Sequence, residues 1–206
     1  MTPPIAIVDY GMGNLRSVQK AFEHLGFDAE ITSSSREIER ADKVVLPGVG
    51  AFPDGMRALR RLGLDASLKR AIRDGKLFLG ICLGLQLLFE WGTEGRRMKG
   101  LGIFPGEVVR FPEGEKVPQI GWNQVRFAQS KRACPLLKRI PDGSHFYFVH
   151  SYFGRPRGDR RMVAGTTDYG LRYPSILWRD RIFATQFHPE KSQNLGLQLL
   201  ANFAKL

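Results

Sequence analysis

Leu77-Phe78-Leu79-Gly80-Ile81-Cys82-Leu83-Gly84-Leu85-Gln86 reads as a buried strand that passes directly into a helix. An apolar run without polar alternation suits a strand covered on both faces. Strands of that kind belong to parallel sheets layered with helices. The two glycines around Cys82 give the G-x-nucleophile-x-G pattern of a nucleophile elbow, with cysteine in place of serine. The turn is tight, and side chains at the flanking positions would strike neighbouring elements, so glycine is needed there. Cys82 then projects from the sheet edge at a helix N-terminus, which favours the thiolate. The backbone N–H of Leu83 is left free to hold an oxyanion. The bland alternative is an inert core cysteine. Cys134, in Ala133-Cys134-Pro135-Leu136, has no such context and is read as structural.

Upstream, Ile5–Val8, Phe27–Thr32 and Lys43–Leu46 are strand candidates. Between them lie a helix capped by Asn14, with Leu15, Val18, Phe22 and Leu25 on one face and Gly26 as its stop, and a short helix over Glu37–Ala41. Asp54–Gly75 reads as helical with a break near Gly63, and Leu83–Phe89 as a helix. This alternation predicts an α/β fold: an open, mostly parallel sheet flanked by helices, flavodoxin-like. After Gly100 the pattern changes. Glu107–Phe111, Gln124–Phe127, His145–Phe153, Met162–Thr166, Ser175–Trp178 and Ile182–Phe187 read as strands, adding antiparallel pairs in the C-terminal half. A final helix carries Leu195, Leu199, Leu200 and Phe203. No linker is visible, so residues 1–206 are expected to form a single domain.

The chain has 206 residues, with Lys plus Arg 31 against Asp plus Glu 20, a net charge of +11. A chain this long buries roughly 70% of its unfolded surface without staples. Apolar residues at 43% and charged residues at 25% exclude disorder as the main state. Two cysteines exclude a disulfide scaffold and fit a reducing compartment. The start lacks a basic n-region, and the longest apolar run is too short and broken to span a bilayer, so a cytoplasmic location without membrane contact is expected. A pI near 10.1 raises nucleic-acid binding. The basic residues are dispersed and fit no nucleic-acid motif, so a solvated basic surface is the reading and no nucleic-acid partner is expected. Gly11-Met12-Gly13-Asn14-Leu15-Arg16 lacks the third glycine of a dinucleotide fingerprint. No phosphate loop, H-E-x-x-H or C-x-x-C occurs, so neither a cofactor nor a metal is expected.

His188-Pro189-Glu190 follows the apolar run Ile182–Phe187. On an extended chain residues i and i+2 point the same way, so imidazole and carboxylate share a face. A carboxylate beside an imidazole orients the ring and stabilises its charged form. Cys82, His188 and Glu190 are therefore the candidate triad. His24 is read as a surface residue.

These residues together resemble the class I, or triad, glutamine amidotransferases. The resemblance rests on Gly80-Ile81-Cys82-Leu83-Gly84-Leu85-Gln86, the distant His188-Pro189-Glu190, and Pro47-Gly48-Val49-Gly50 where that family places its oxyanion loop. Asp9-Tyr10-Gly11-Met12-Gly13-Asn14, Gly121-Trp122-Asn123 and Phe148-Val149-His150-Ser151-Tyr152 are similar to one branch of it, the glutaminase subunits of imidazole glycerol phosphate synthases. The resemblance implies hydrolysis of L-glutamine to L-glutamate and ammonia. It implies delivery of the ammonia to a cyclase subunit, a (β/α)8 barrel, in a heterodimer serving histidine biosynthesis. It implies that Gly48, Val49, Gly50 and Leu83 serve the oxyanion and that Gln86, Ser151 and Tyr152 hold the substrate, with Glu94 a further candidate. Asn14, Trp122 and Lys191, beside matched motifs, are the expected partner contacts. The Val49 peptide, flanked by glycines, is the expected switch. A cysteine peptidase on a similar fold and a non-enzymatic basic binding protein are the rival readings. Neither accounts for the Asp-Tyr-Gly and Gly-Trp-Asn segments.

Overall fold

A computed structural model describes residues 3–128 and 134–206; Met1, Thr2 and Ala133 of the segments read above lie outside them. The first half runs β1 Ile5–Val8, α1 Leu15–His24, β2 Ala29–Thr32, α2 Ser35–Arg40, β3 Lys43–Leu46, α3 Phe52–Arg61, α4 Leu64–Arg73, β4 Leu77–Ile81 and α5 Leu83–Leu87. The second half runs β5 Phe89–Gly92, β6 Met98–Lys99, β7 Phe104–Arg110, β8 Gln119–Phe127, β9 Ser144–His150, β10 Tyr152–Pro156, β11 Val163–Tyr169, β12 Leu171–Arg179, β13 Ile182–Thr185 and α6 Gln193–Ala204.

Among the described residues, nine strands make one sheet in the order β2-β1-β3-β4-β13-β12-β11-β8-β9. The first five are parallel. The other four continue the sheet antiparallel. Strand alternation splits the parallel part between two apolar layers. Ile5, Ile7, Leu79 and Ile81 face α1 and α6, through Val18, Phe22, Leu199 and Phe203. Val8, Val44, Leu46 and Phe78 face α2, α3 and α4, through Ile38, Met56, Leu59 and Leu68. Each such side chain, fully buried, contributes about 1.5–3 kcal/mol. The central strands β4 and β13 therefore sit on a stiff, doubly covered platform. No helix among the described residues is long and apolar enough to cross a membrane.

Local sequence explains most boundaries. Gly26 has φ +79° and ends α1, with the Phe27 N–H returning to the Phe22 carbonyl at 3.0 Å. Gly63, at φ +68°, separates α3 from α4 where a break was expected. Asn14 does stand at the start of α1, but its side chain makes no capping bond. Its ψ of 60° is outside the extended conformation that a capping side chain needs.

Two expected elements are divided. The helix read over Leu83–Phe89 stops at Leu87. The returning chain takes its last carbonyls: Leu101 N–H donates to Leu87 O and Phe104 N–H to Leu88 O, both at 2.9 Å. Phe89 instead opens β5, part of a second sheet in the order β10-β7-β5-β6. The strand read over His145–Phe153 is two strands that part at Ser151. β9 pairs with β8 in the large sheet, and β10 pairs with β7 in the small one. The chain thus changes sheets within the Ser151-Tyr152 segment singled out from the sequence.

Candidate active site

The parallel strands end at one edge, where a doubly wound sheet places its ligands. Asp9–Gly13 follows β1, Pro47–Gly50 follows β3, Cys82 follows β4 and Gln186–Glu190 follows β13. β4 and β13 are neighbours, with Ile81 opposite Thr185. Adjacent strands therefore deliver the cysteine and the histidine to the same place.

Cys82 has φ +53° and ψ −107°, a conformation that costs an L-residue of order 1–3 kcal/mol. The surrounding structure enforces it. Cys82 N–H donates to Thr185 O at 2.7 Å, and its own carbonyl accepts from Gln86 N–H at 3.2 Å. The flanking glycines answer to crowding as expected. A Cβ on Gly80 would stand 2.9 Å from the Gly84 carbonyl carbon, and a Cβ on Gly84 would overlap the Leu46 carbonyl oxygen. The helix that follows has only five residues, so its dipole adds little at the sulfur.

His188 and Glu190 meet as the spacing predicted. His188 Nδ1 lies 2.7 Å from Glu190 Oε1, and both side chains are almost completely buried. Burial alone would lower the His188 pKa. Its interactions with Cys82, and then with Glu190, overcome this and raise the group to about 10. His188 Nε2 has no hydrogen-bond partner. It stands ready to give its proton to an incoming group.

The oxyanion donors differ from the expectation. Leu83 N–H is not free: it donates to the Gly48 carbonyl at 3.3 Å. The C=O and N–H of a trans peptide point in opposite directions. With the Gly48 carbonyl turned toward Leu83, the Val49 N–H points away from it. An acceptor thus fills the place where the sequence leads us to expect donors, and it is main chain, which no side-chain pattern reveals. Val49 is 40% exposed at the protein surface. Gly48 could carry no side chain, because a Cβ there would overlap the hydroxyl of Tyr10. That hydroxyl is buried and unpartnered.

Gln86 is buried, and its Nε2 donates to Tyr152 O at 2.8 Å and to Gln186 Oε1 at 3.3 Å. Ser151 and Tyr152 are half-buried at the junction of the two sheets. Glu94 instead accepts from the N–H of Phe52 at 2.8 Å, at the start of α3. Trp122 is exposed and meets Tyr147 edge-on, while Tyr147 O accepts from His188 N–H at 2.9 Å. Asn14 and Lys191 are also exposed. Sequence reasoning missed Tyr10, Gln186 and the strongly exposed Ile120. Gln186 carried a usable signal, since it stands two residues before His188 in the run read as a strand. Cys134 is buried, and burial pushes its thiol up to about 12, as fits a structural role. Among the described residues no group of three His, Cys, Asp or Glu could hold a metal.

His150 supports this region from behind. Its Nδ1 is 2.8 Å from Tyr152 O, and its Nε2 is 3.2 Å from the Tyr173 hydroxyl. Burial pushes its pKa down to about 4. A histidine depressed in the folded state is protonated first in the unfolded chain. Stability is therefore full above pH 6.5 and is lost as pH falls toward 4, by up to about 3 kcal/mol. Urea denaturation between pH 7 and 4 is expected to show this loss, and a His150→Gln variant a flatter slope. His188, whose pKa is raised, acts in a separate window. Its contribution is full below pH 6.5 and is lost as pH rises toward 10.

Known proteins resemble this chain in sequence and fold. Residues 6–206 match the family described as glutamine amidotransferase class-I. A relative from Moorella thermoacetica, called imidazole glycerol phosphate synthase subunit HisH, is 52% identical, over 98% of this chain and 95% of its own. A relative of the same name from Geobacter sulfurreducens is 49% identical over 98% of each chain. A crystal structure of a glutamine amidotransferase superposes with a TM-score of 0.75 at 18% identity, covering 98% of this chain and 100% of that one. The PurLQS structure from Thermotoga maritima gives 0.76 at 17%, covering 100% and 99%. These two likenesses concern the fold.

Proposed function

Because the chain belongs to the class I glutamine amidotransferases, we propose that Cys82, His188 and Glu190 are its catalytic triad. The chain is a glutaminase, hydrolysing L-glutamine to L-glutamate and ammonia as a subunit of an imidazole glycerol phosphate synthase in histidine biosynthesis. The observation that carries the triad is the strained Cys82 beside a buried imidazole–carboxylate pair whose Nε2 is unpartnered.

In the mechanism we assign, the Cys82 thiolate attacks the carboxamide carbon and the carbonyl oxygen takes the negative charge. His188 Nε2 protonates the departing amine, and the C–N bond breaks to leave a glutamyl thioester and ammonia. His188 then takes a proton from water, whose oxygen attacks the thioester. Collapse breaks the C–S bond and returns the thiolate. Glu190 holds the ring and its charge throughout. Gln86, Ser151 and Tyr152 border the substrate.

The oxyanion needs donors that the resting chain withholds. Turning over the Gly48–Val49 peptide would remove the carbonyl from Leu83 and aim the Val49 N–H inward, supplying two donors at one stroke. Each is worth roughly 3–4 kcal/mol in the transition state. Gly48 and Gly50 leave this peptide freedom to turn. Exposed Val49 gives a partner a direct grip on it.

That partner, in this reading, is the cyclase subunit, a (β/α)8 barrel, in a heterodimer that receives the ammonia. Val49, Ile120 and Trp122 are exposed apolar residues. Ile120 lies opposite Val149, whose carbonyl faces the Cys82 sulfur, and Trp122 lies opposite Tyr147. Apolar exposure beside a catalytic mouth marks an interaction surface. Asn14 and Lys191 extend the proposed contact.

Glutamate release should be measured for the chain alone and with a cyclase subunit and its ribonucleotide ligand. We expect slow release alone and at least a hundredfold more in the liganded complex. Equal rates would overturn the peptide switch. No release from a folded, assembled complex would overturn the triad.

A further inference from the structure

In the resting site the Cys82 sulfur meets polar groups other than His188. Gln186 Nε2 donates to Cys82 Sγ at 3.7 Å, and the thiol faces the Val149 carbonyl at 3.9 Å. Gln186 is completely buried. Its backbone N–H donates to Ser175 O at 2.9 Å, which fixes the residue at the end of β13. Its Oε1 accepts from Gln86 Nε2 at 3.3 Å, and the same Gln86 nitrogen reaches Tyr152 O at 2.8 Å. With its oxygen engaged by a donor, the carboxamide presents its N–H end to the sulfur. Two amide side chains thus join the Tyr152 carbonyl to the nucleophile.

We propose that Gln186 is a further catalytic residue, whose carboxamide N–H holds the Cys82 sulfur and stabilises it as a thiolate. This rests on the assignment of Cys82 as nucleophile. A hydrogen bond to a charged acceptor is about twice as strong as one between neutral groups. The sulfur is charged before attack and neutral in the thioester. It regains charge when the C–S bond breaks and the bonding pair returns to it. The Gln186 bond is therefore strongest when the thiolate forms and when it departs, and it favours the deacylation transition state over the thioester. His188 remains available for proton transfer.

The test replaces Gln186 by methionine, which is similar in length but lacks the N–H. Iodoacetamide labelling of Cys82 is followed against pH by peptide mass spectrometry. Glutamine turnover is measured in the complex with the cyclase subunit and its ligand. Relative to the unmodified chain, we expect the labelling midpoint to rise by about one pH unit and kcat to fall roughly tenfold. KM should change less than about twofold. Buried Cys134 is an internal control, because its labelling reports unfolding. Should Gln186→Met unfold, the wild-type side-chain amide proton of Gln186 decides by NMR. A downfield shift that tracks Cys82 ionisation supports the proposal, and an unmoved resonance overturns it. An unchanged midpoint and kcat in a folded variant also overturn it. Turnover by wild type and its loss in Cys82→Ala test the nucleophile separately, so the two failures are distinguishable.

Discussion

Cys82→Ala is expected to reduce partner-stimulated glutamate release by at least about 10^4-fold, with the fold and the complex intact. The magnitude follows from what the sulfur does. Without it no thioester forms, and water must attack an amide directly. Removing the nucleophile of a comparable hydrolase leaves only the catalysis due to binding and oxyanion donors, a small residue of the whole. Alanine fits the site, because the backbone there is held at φ +53° by main-chain bonds from Cys82 to Thr185 and from Gln86 to Cys82. The variant should therefore still bind glutamine and the cyclase subunit. Steady-state glutamate release by the purified complex is the measurement. Retention of more than about 1% of the rate would remove Cys82 from the mechanism.

Gly84→Ala should have the largest effect on stability, a loss of about 4 kcal/mol or more. The added methyl group would overlap the Leu46 carbonyl oxygen at the end of β3. That oxygen is main chain in a fully covered strand and cannot rotate aside. Relief requires α5 to move off the sheet, against the core cluster that holds Leu83, Leu85 and Leu87. Urea denaturation reads the loss directly, and a change below 1 kcal/mol would refute the crowding argument. Gly95, by contrast, has nothing within contact distance of a Cβ. Alanine there meets only the strain of φ +69°.

What could be read from the sequence follows from where side chains decide structure. β1 and β4 are fully apolar runs between layers, and β3 is apolar after Lys43, so hydrophobic patterning exposed them. The elbow was legible because two crowded positions admit only glycine. His188 and Glu190 were legible because their spacing is local. The failures lie where distant main chain intervenes. Leu101 and Phe104 take the carbonyls that would have extended α5 to Phe89, and no local pattern announces that return. The run His145–Phe153 keeps its apolar character across Ser151, so patterning cannot tell one strand from two that serve different sheets. The Leu83–Gly48 bond, which reverses the expected state of the oxyanion site, involves no side chain at all.

That bond also makes the resting chain its own competing ligand. In the proposed mechanism the Gly48 oxygen occupies the Leu83 donor that the oxygen of glutamine would use, much as a bound product would. Substrate and partner then oppose the same internal occupant, and they are coupled through it. Whatever factor the docked partner adds to the affinity for an oxyanion in this site, that oxyanion adds to the affinity for the partner. On the proposed mechanism the free chain would conserve glutamine by this means, hydrolysing it only slowly until a subunit able to receive ammonia displaces the loop's own carbonyl.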